Sequence, residues 1–179
     1  GQSEPDLAQR FVVGTGSRAF GKSDSYRVQK VFTTPGVYST DGPMGLSGAL
    51  IGQDIGLLLL TEEMAGVTPL KIRRTEPSDQ VGKTQVVIGF GQTPQGETGT
   101  KYRTTTVVEQ IFDKVIYTGI STCQGDSGGP LMQQDTGEII GITSFGNAAC
   151  GVGFAAYQQV FPYLALVDEA VAESGDCVN

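Results

Sequence analysis

With 179 residues, 39% of them hydrophobic, the chain can build the core of one large domain or two small ones. Its formal net charge of -7, with basic residues scattered instead of clustered, offers no electrostatic footprint for nucleic acid or an anionic membrane. The longest obvious apolar run, residues 55–60, is far too short to span a bilayer, and the first residues show no secretory signal pattern, which leaves a cytosolic chain or one whose signal has been removed.

The 26 glycines, with short runs rich in Thr and Val, predict an all-β protein with many tight turns. In chain order the runs at 10–16, 26–32 and 54–60 read as a first cluster of strands, with 34–45 as a long loop between the last two. A polar stretch with two prolines, 69–83, reads as a link. A denser set follows at 84–91, 102–112, 114–119, 128–134, 138–146 and 151–160, and six strands at that spacing suffice to close a small barrel. Beyond 161 the period changes: Leu164, Val167 and Val171 share one helical face, and Pro162 suits a first turn. The units are thus 1–66, a linker 67–83, a second barrel 84–160 and a helix with its tail 161–179.

Cys123, Cys150 and Cys177 match no zinc spacing, and the chain contains no histidine, so neither a metal nor a cofactor is expected. A disulfide fits better, and the odd count leaves one thiol over.

Residues 125–130 read Gly-Asp-Ser-Gly-Gly-Pro, preceded by Cys123 two positions earlier. A serine hydroxyl attacks well only when a base takes its proton and nearby donors hold the oxyanion that forms. Ser127 would be that nucleophile. The amides of Gly125 and Ser127 would converge on one point, with glycines allowing the tight turn and close substrate approach. Asp126, between them, would be buried and paired, the natural partner being a positively charged amino terminus. The bland alternative is a glycine-rich turn with a chance Asp-Ser, but a string of this length is far more specific than a lone G-x-S-x-G.

These residues resemble the nucleophile segment of the chymotrypsin/trypsin-like serine endopeptidases. The resemblance extends over most of the chain. Residues 53–60, QDIGLLLL, are similar to the segment that supplies the triad aspartate, which implies Asp54. VVIGFG at 86–91 and GITSFGNAAC at 141–150 match two further family segments, each with Phe in place of Trp, at Phe90 and Phe145. The resemblance implies a double six-stranded antiparallel β-barrel with a C-terminal helix, the first barrel incomplete here, and a Cys123–Cys150 disulfide joining the walls of the specificity pocket. It implies a polypeptide substrate, with Ser121 at the pocket floor and Ser144, Phe145, Gly146 and Gly153 along the walls. No floor aspartate is present to select Lys or Arg, so a large apolar or aromatic residue before the cut is expected. Only ten residues separate Phe112 from Cys123, a short-looped form closer to bacterial or fungal secreted relatives.

The family's histidine segment has no counterpart in the 53 residues before Asp54. The expectation is therefore a two-part, secreted protease, with a separate light N-terminal fragment supplying the histidine and the opening strands, and Cys177 as a candidate inter-chain link. Half a barrel alone would expose apolar faces and unpaired strand edges. Residues 10–14 look superficially like an activation site, but the histidine region does not follow them, and an ordinary strand is the better reading. A lysine base would have to be Lys22, Lys30, Lys71, Lys83, Lys101 or Lys114, none of which lies where the imidazole belongs. The competing class is a non-catalytic homologue, a binding or inhibitory module that kept the fold and lost its base; a truncated, inert portion of a protease is the third.

Overall fold

A computed structural model describes residues 7–21, 24–34, 39–42, 46–147 and 149–175. Among these residues nine strands follow in order: β1 (Val12–Gly14), β2 (Ser25–Thr33), β3 (Gly56–Leu60), β4 (Thr84–Gly89), β5 (Tyr102–Phe112), β6 (Val115–Gly119), β7 (Pro130–Gln133), β8 (Ile139–Gly146) and β9 (Phe154–Gln159). A short helix α1 (Ser47–Leu50) precedes β3, and α2 (Leu164–Ser174) ends the fold.

The second half closes on itself as β4-β5-β6-β9-β8-β7. Its strands are runs of Val, Ile and Thr, side chains suited to a pleated, half-buried surface. Alternate residues point inward, and Val87, Val108, Ile116, Leu131, Ile140, Ala155 and Tyr157 fill the interior. The β5–β6 hairpin turns through Asp113 and Lys114, since Phe112 pairs with Val115. Asp113 adopts a left-handed φ of 53°, a conformation that aspartate tolerates better than most residues.

The first half is a three-stranded antiparallel sheet, β1-β2-β3, which is not closed among the described residues. The architecture is therefore mostly β, with one complete barrel, a second smaller sheet and a C-terminal helix. The helix is approached through a 3-10 turn at Phe161–Tyr163 that carries Pro162, and it stops at Gly175, whose φ of 79° is the left-handed cap that glycine supplies without strain.

One shared apolar cluster joins the halves. Ile55, Val160, Tyr163 and Val167 are buried together, with Leu57 of β3, Ile139 and Ile142 of β8, and Leu166 and Val171 of α2 packed around them. The expected linker is strapped down: Ile72 forms a parallel bridge with Ile139, Arg73 N donates to Ile139 O and Ile139 N to Lys71 O. Arg74 then reaches both carboxylate oxygens of Asp168 on α2 at 2.7 Å. A second strap crosses elsewhere, where Ala19 N donates to Gly99 O and Lys101 N to Ser17 O.

Candidate active site

The turn between β6 and β7 carries the Gly-Asp-Ser-Gly-Gly-Pro string. Gly125 and Gly128 have φ of 93° and 83°, values that a side chain would strain, so glycines are required there. The turn is stitched to β8: Gly128 N donates to Thr143 O, Thr143 N to Gly129 O, and the Thr143 hydroxyl to Gly129 O at 3.0 Å. Ser127 and Gly125 are exposed. Among the described residues neither of their amides, nor the Ser127 hydroxyl, has a hydrogen-bond partner. Three donors without a partner among the described residues therefore sit on one exposed turn.

Asp126 departs from the expectation. It is half-buried, and among the described residues its partners are backbone amides: Gly91 N at 2.7 Å to Oδ1 and Cys123 N at 2.9 Å to Oδ2. Such amide donors satisfy a carboxylate as well as a counter-ion does, and glycines make room for it. A Cβ on Gly89 would lie 1.9 Å from Asp126 Oδ1, and one on Gly91 would lie 2.5 Å from its Cγ. Beside this carboxylate lies a cavity of about 150 Å³, lined by Val87, Gly89, Gly91, Tyr102, Ser121 and Asp126 among others.

Asp54 stands just before β3 and is half-buried. Its Oδ2 accepts from the Ser144 hydroxyl at 2.5 Å, so the side chain of Ser144, a residue expected in the pocket wall, is engaged with the carboxylate. The cause is local. Thr143 pairs with Tyr157 and Phe145 with Ala156, which leaves Ser144 as the extra residue of a β-bulge, and bulges re-aim side chains out of their normal alternation. Successive residues of β8 thus hold the nucleophile turn (Thr143) and the carboxylate (Ser144).

Of the expected pocket residues, Ser144, Phe145 and Gly146 are consecutive on β8, and Gly153 needs a correction. Ser121 Oγ lies 2.7 Å from the Tyr157 hydroxyl and 3.2 Å from that of Thr118. Burial pushes the Tyr157 phenol above its ordinary value; hydrogen bonds with Ser121, Thr118 and Thr122 pull the other way, and the charge of Asp126 adds to the rise. Phe145 meets Tyr117 and Phe154 edge-on, each with centroids 6.2 Å apart, and Tyr117 and Phe154 tilt together at 5.9 Å. Gly153 does not lie on the strand after Cys150, because β9 begins at Phe154; the residue paired with Gly146 is Ala155. Gly153 instead packs on Asn147, whose Oδ1 accepts from Phe154 N. A Cβ at 153 would meet that oxygen at 2.0 Å.

Cys123 and Cys150 form a disulfide, with Cα atoms 5.2 Å apart, tying the nucleophile turn to the β8–β9 loop. Cys177 lies outside the described residues. Among those described, no group of three or more His, Cys, Asp or Glu side chains assembles as a metal site.

A protein-family model described as Trypsin matches residues 5–167. The chain belongs to the trypsin family. Shorter stretches of this family member are similar to curated proteases. Serine protease 1 of Drosophila melanogaster is 52% identical over 48 residues, 26% of this chain and 18% of that protein. Spermosin of Halocynthia roretzi is 41% identical over 63 residues, 34% of this chain and 16% of its own. Trypsin-1 of Astacus astacus is 40% identical over 60 residues, 29% of this chain and 25% of its own. The matched stretches span no more than a quarter of these relatives.

Reading the sequence alone misses Tyr157, Gln158, Thr118 and the Gly89/Gly91 pair. Two glycines one residue apart at the end of a strand, and glutamines at 158 and 159 inside an apolar run, were the signals that could have found them.

Proposed function

We propose that the chain is the nucleophile-bearing portion of a secreted serine endopeptidase. The observation that carries this is the pair of neighbours on β8: Thr143 fixes the turn that presents Ser127, while Ser144 holds Asp54. None of the 179 residues is histidine, so the imidazole comes from polypeptide outside them, a light N-terminal fragment or chain. Ser127 attacks the scissile carbonyl, the imidazole accepts its proton and returns it to the leaving amine, and Asp54 orients the ring and stabilises its charged form. The Gly125 and Ser127 amides, without other partners among the described residues, receive the oxyanion.

The amino terminus created by proteolytic activation would enter the cavity beside Asp126 and compete with the Gly91 and Cys123 amides for the carboxylate. The floor of the specificity pocket is neutral, with Ser121 engaged by Tyr157. This supports a large apolar or aromatic residue before the cut. A disulfide beside the nucleophile supports an oxidising, extracellular setting.

The test is labelling of Ser127 by a peptide phosphonate carrying Phe at its reactive end, on the protein together with its histidine-bearing polypeptide. Labelling that is lost in Ser127→Ala, and is slower by several orders of magnitude when the histidine polypeptide is removed, is the expected result. The absence of histidine favours a second reading, a non-catalytic homologue that binds polypeptides. That reading predicts no labelling under any of these conditions, and preference for a Lys or Arg phosphonate would sink the apolar assignment alone.

A further inference from the structure

The segment that carries Asp54 is held at its backbone as well as at its carboxylate. Asp54 N donates to Gln158 Oε1 at 3.0 Å, and Gln158 Nε2 donates to Lys114 O and Gln159 O, each at 3.1 Å. Gln158 is 1% exposed. It sits on β9, paired with Ile142 on one side and Val115 on the other. Neighbouring Ala155 and Tyr157 belong to the barrel core, and the alternation of the strand turns Gln158 to the outer face, toward the first sheet.

An amide buried this deeply is costly unless every donor and acceptor is used. Here the oxygen and the nitrogen are both used, and the oxygen is spent on the one residue of the first half that the proposed chemistry needs. The clamp has a second jaw two residues earlier, where the Tyr163 hydroxyl donates to Gly52 O. Gly52 is buried, and a Cβ there would lie 2.4 Å from Lys114 Cβ, so backbone meets backbone at this crossing.

We infer that Gln158 is a positioning residue for the triad carboxylate: it fixes the main chain of Asp54 against the second barrel, so that the Ser144-held carboxylate meets the imidazole in register. This rests on the serine endopeptidase reading above.

The test uses the complete protein, histidine-bearing polypeptide included, beside its Gln158→Met and Gln158→Leu variants. Phosphonylation of Ser127 is followed from about pH 5 to about pH 9, spanning the imidazole titration, and the rate is expressed per serine finally labelled. The expected result is a rate roughly 10- to 100-fold lower in the variants, with the acid limb of the profile moved to lower pH because the imidazolium has lost a well-placed carboxylate. Equal rates with superimposable profiles would overturn the proposal, since a merely structural glutamine changes the number of active molecules and not their pH dependence. Amide exchange of Asp54 in the wild type needs no variant: strong protection is expected, and exchange as fast as an open loop overturns the clamp. Wild-type protein that takes no label at all overturns the endopeptidase reading, and this inference with it.

Discussion

Tyr157 is a residue whose chemistry is altered by its surroundings. Its folded value lies above the ordinary 10.0, so below that pH both folded and unfolded tyrosine are protonated and its contribution to stability is complete. As pH rises past 10 the unfolded phenol ionises first, and stability falls until the folded value is passed, at up to about 1.4 kcal/mol per pH unit. Alkaline denaturation monitored through tyrosinate absorbance should show one phenol ionising only as the barrel opens, and Tyr157→Phe should remove that component while costing about 1 kcal/mol for the lost Ser121 bond. Gly91→Ala should be more damaging, by roughly 2–3 kcal/mol in urea unfolding, because the new methyl overlaps the Asp126 carboxyl and disrupts a charge-assisted bond. A neutral result there would mean that Asp126 has another resting place. The sequence pointed Asp126 to an amino terminus and gave no sign of the Gly91 and Cys123 amides, since main-chain amides leave no mark in residue identity.

At the scale of elements, the strands were legible because β-branched runs and glycine turns carry their own pattern, and β5 falls at Tyr102–Phe112, matching the range read from sequence. The helix α1, Ser47–Leu50, was not foreseen: four residues without a side-chain cap give no period to detect. The same limit hid the bulge at Ser144, since one extra residue in a ladder depends on register with β9 and not on composition. That bulge is open to direct challenge. Ser144→Ala should cost about 1–2 kcal/mol by removing a hydrogen bond to a charged group, and should slow phosphonate labelling of Ser127, while Ser144→Thr should restore part of both. Unchanged labelling in Ser144→Ala would show that Asp54 does not depend on β8 for its placement. Gly153 was misassigned for a related reason: the β8–β9 loop length, not the glycine pattern, decides which residue faces Gly146.

For the whole molecule, family membership and the barrel could be read from a few motifs, whereas the way the two halves are fastened could not. The fastenings are long-range: Arg74 with Asp168, Ile72 with Ile139, Ser144 and Gln158 with Asp54. None of these pairs lies close enough in sequence to leave a local signature. The two halves also differ in how they can fail. A six-stranded barrel closed by β4–β7 pairing has no frayed edge, but among the described residues the three-stranded sheet has two, and Asp54 borders that sheet while Ser127 belongs to the barrel. Regions with more open edges unfold at lower cost, so warming should pull the carboxylate from its partners while the larger half is still folded. Hydrogen exchange at the Asp54 amide and near-UV ellipticity recorded along one melt of this chain alone should therefore part company, the amide losing protection several degrees earlier, and a chain kept just below its melting point would be intact to most probes with its carboxylate already adrift.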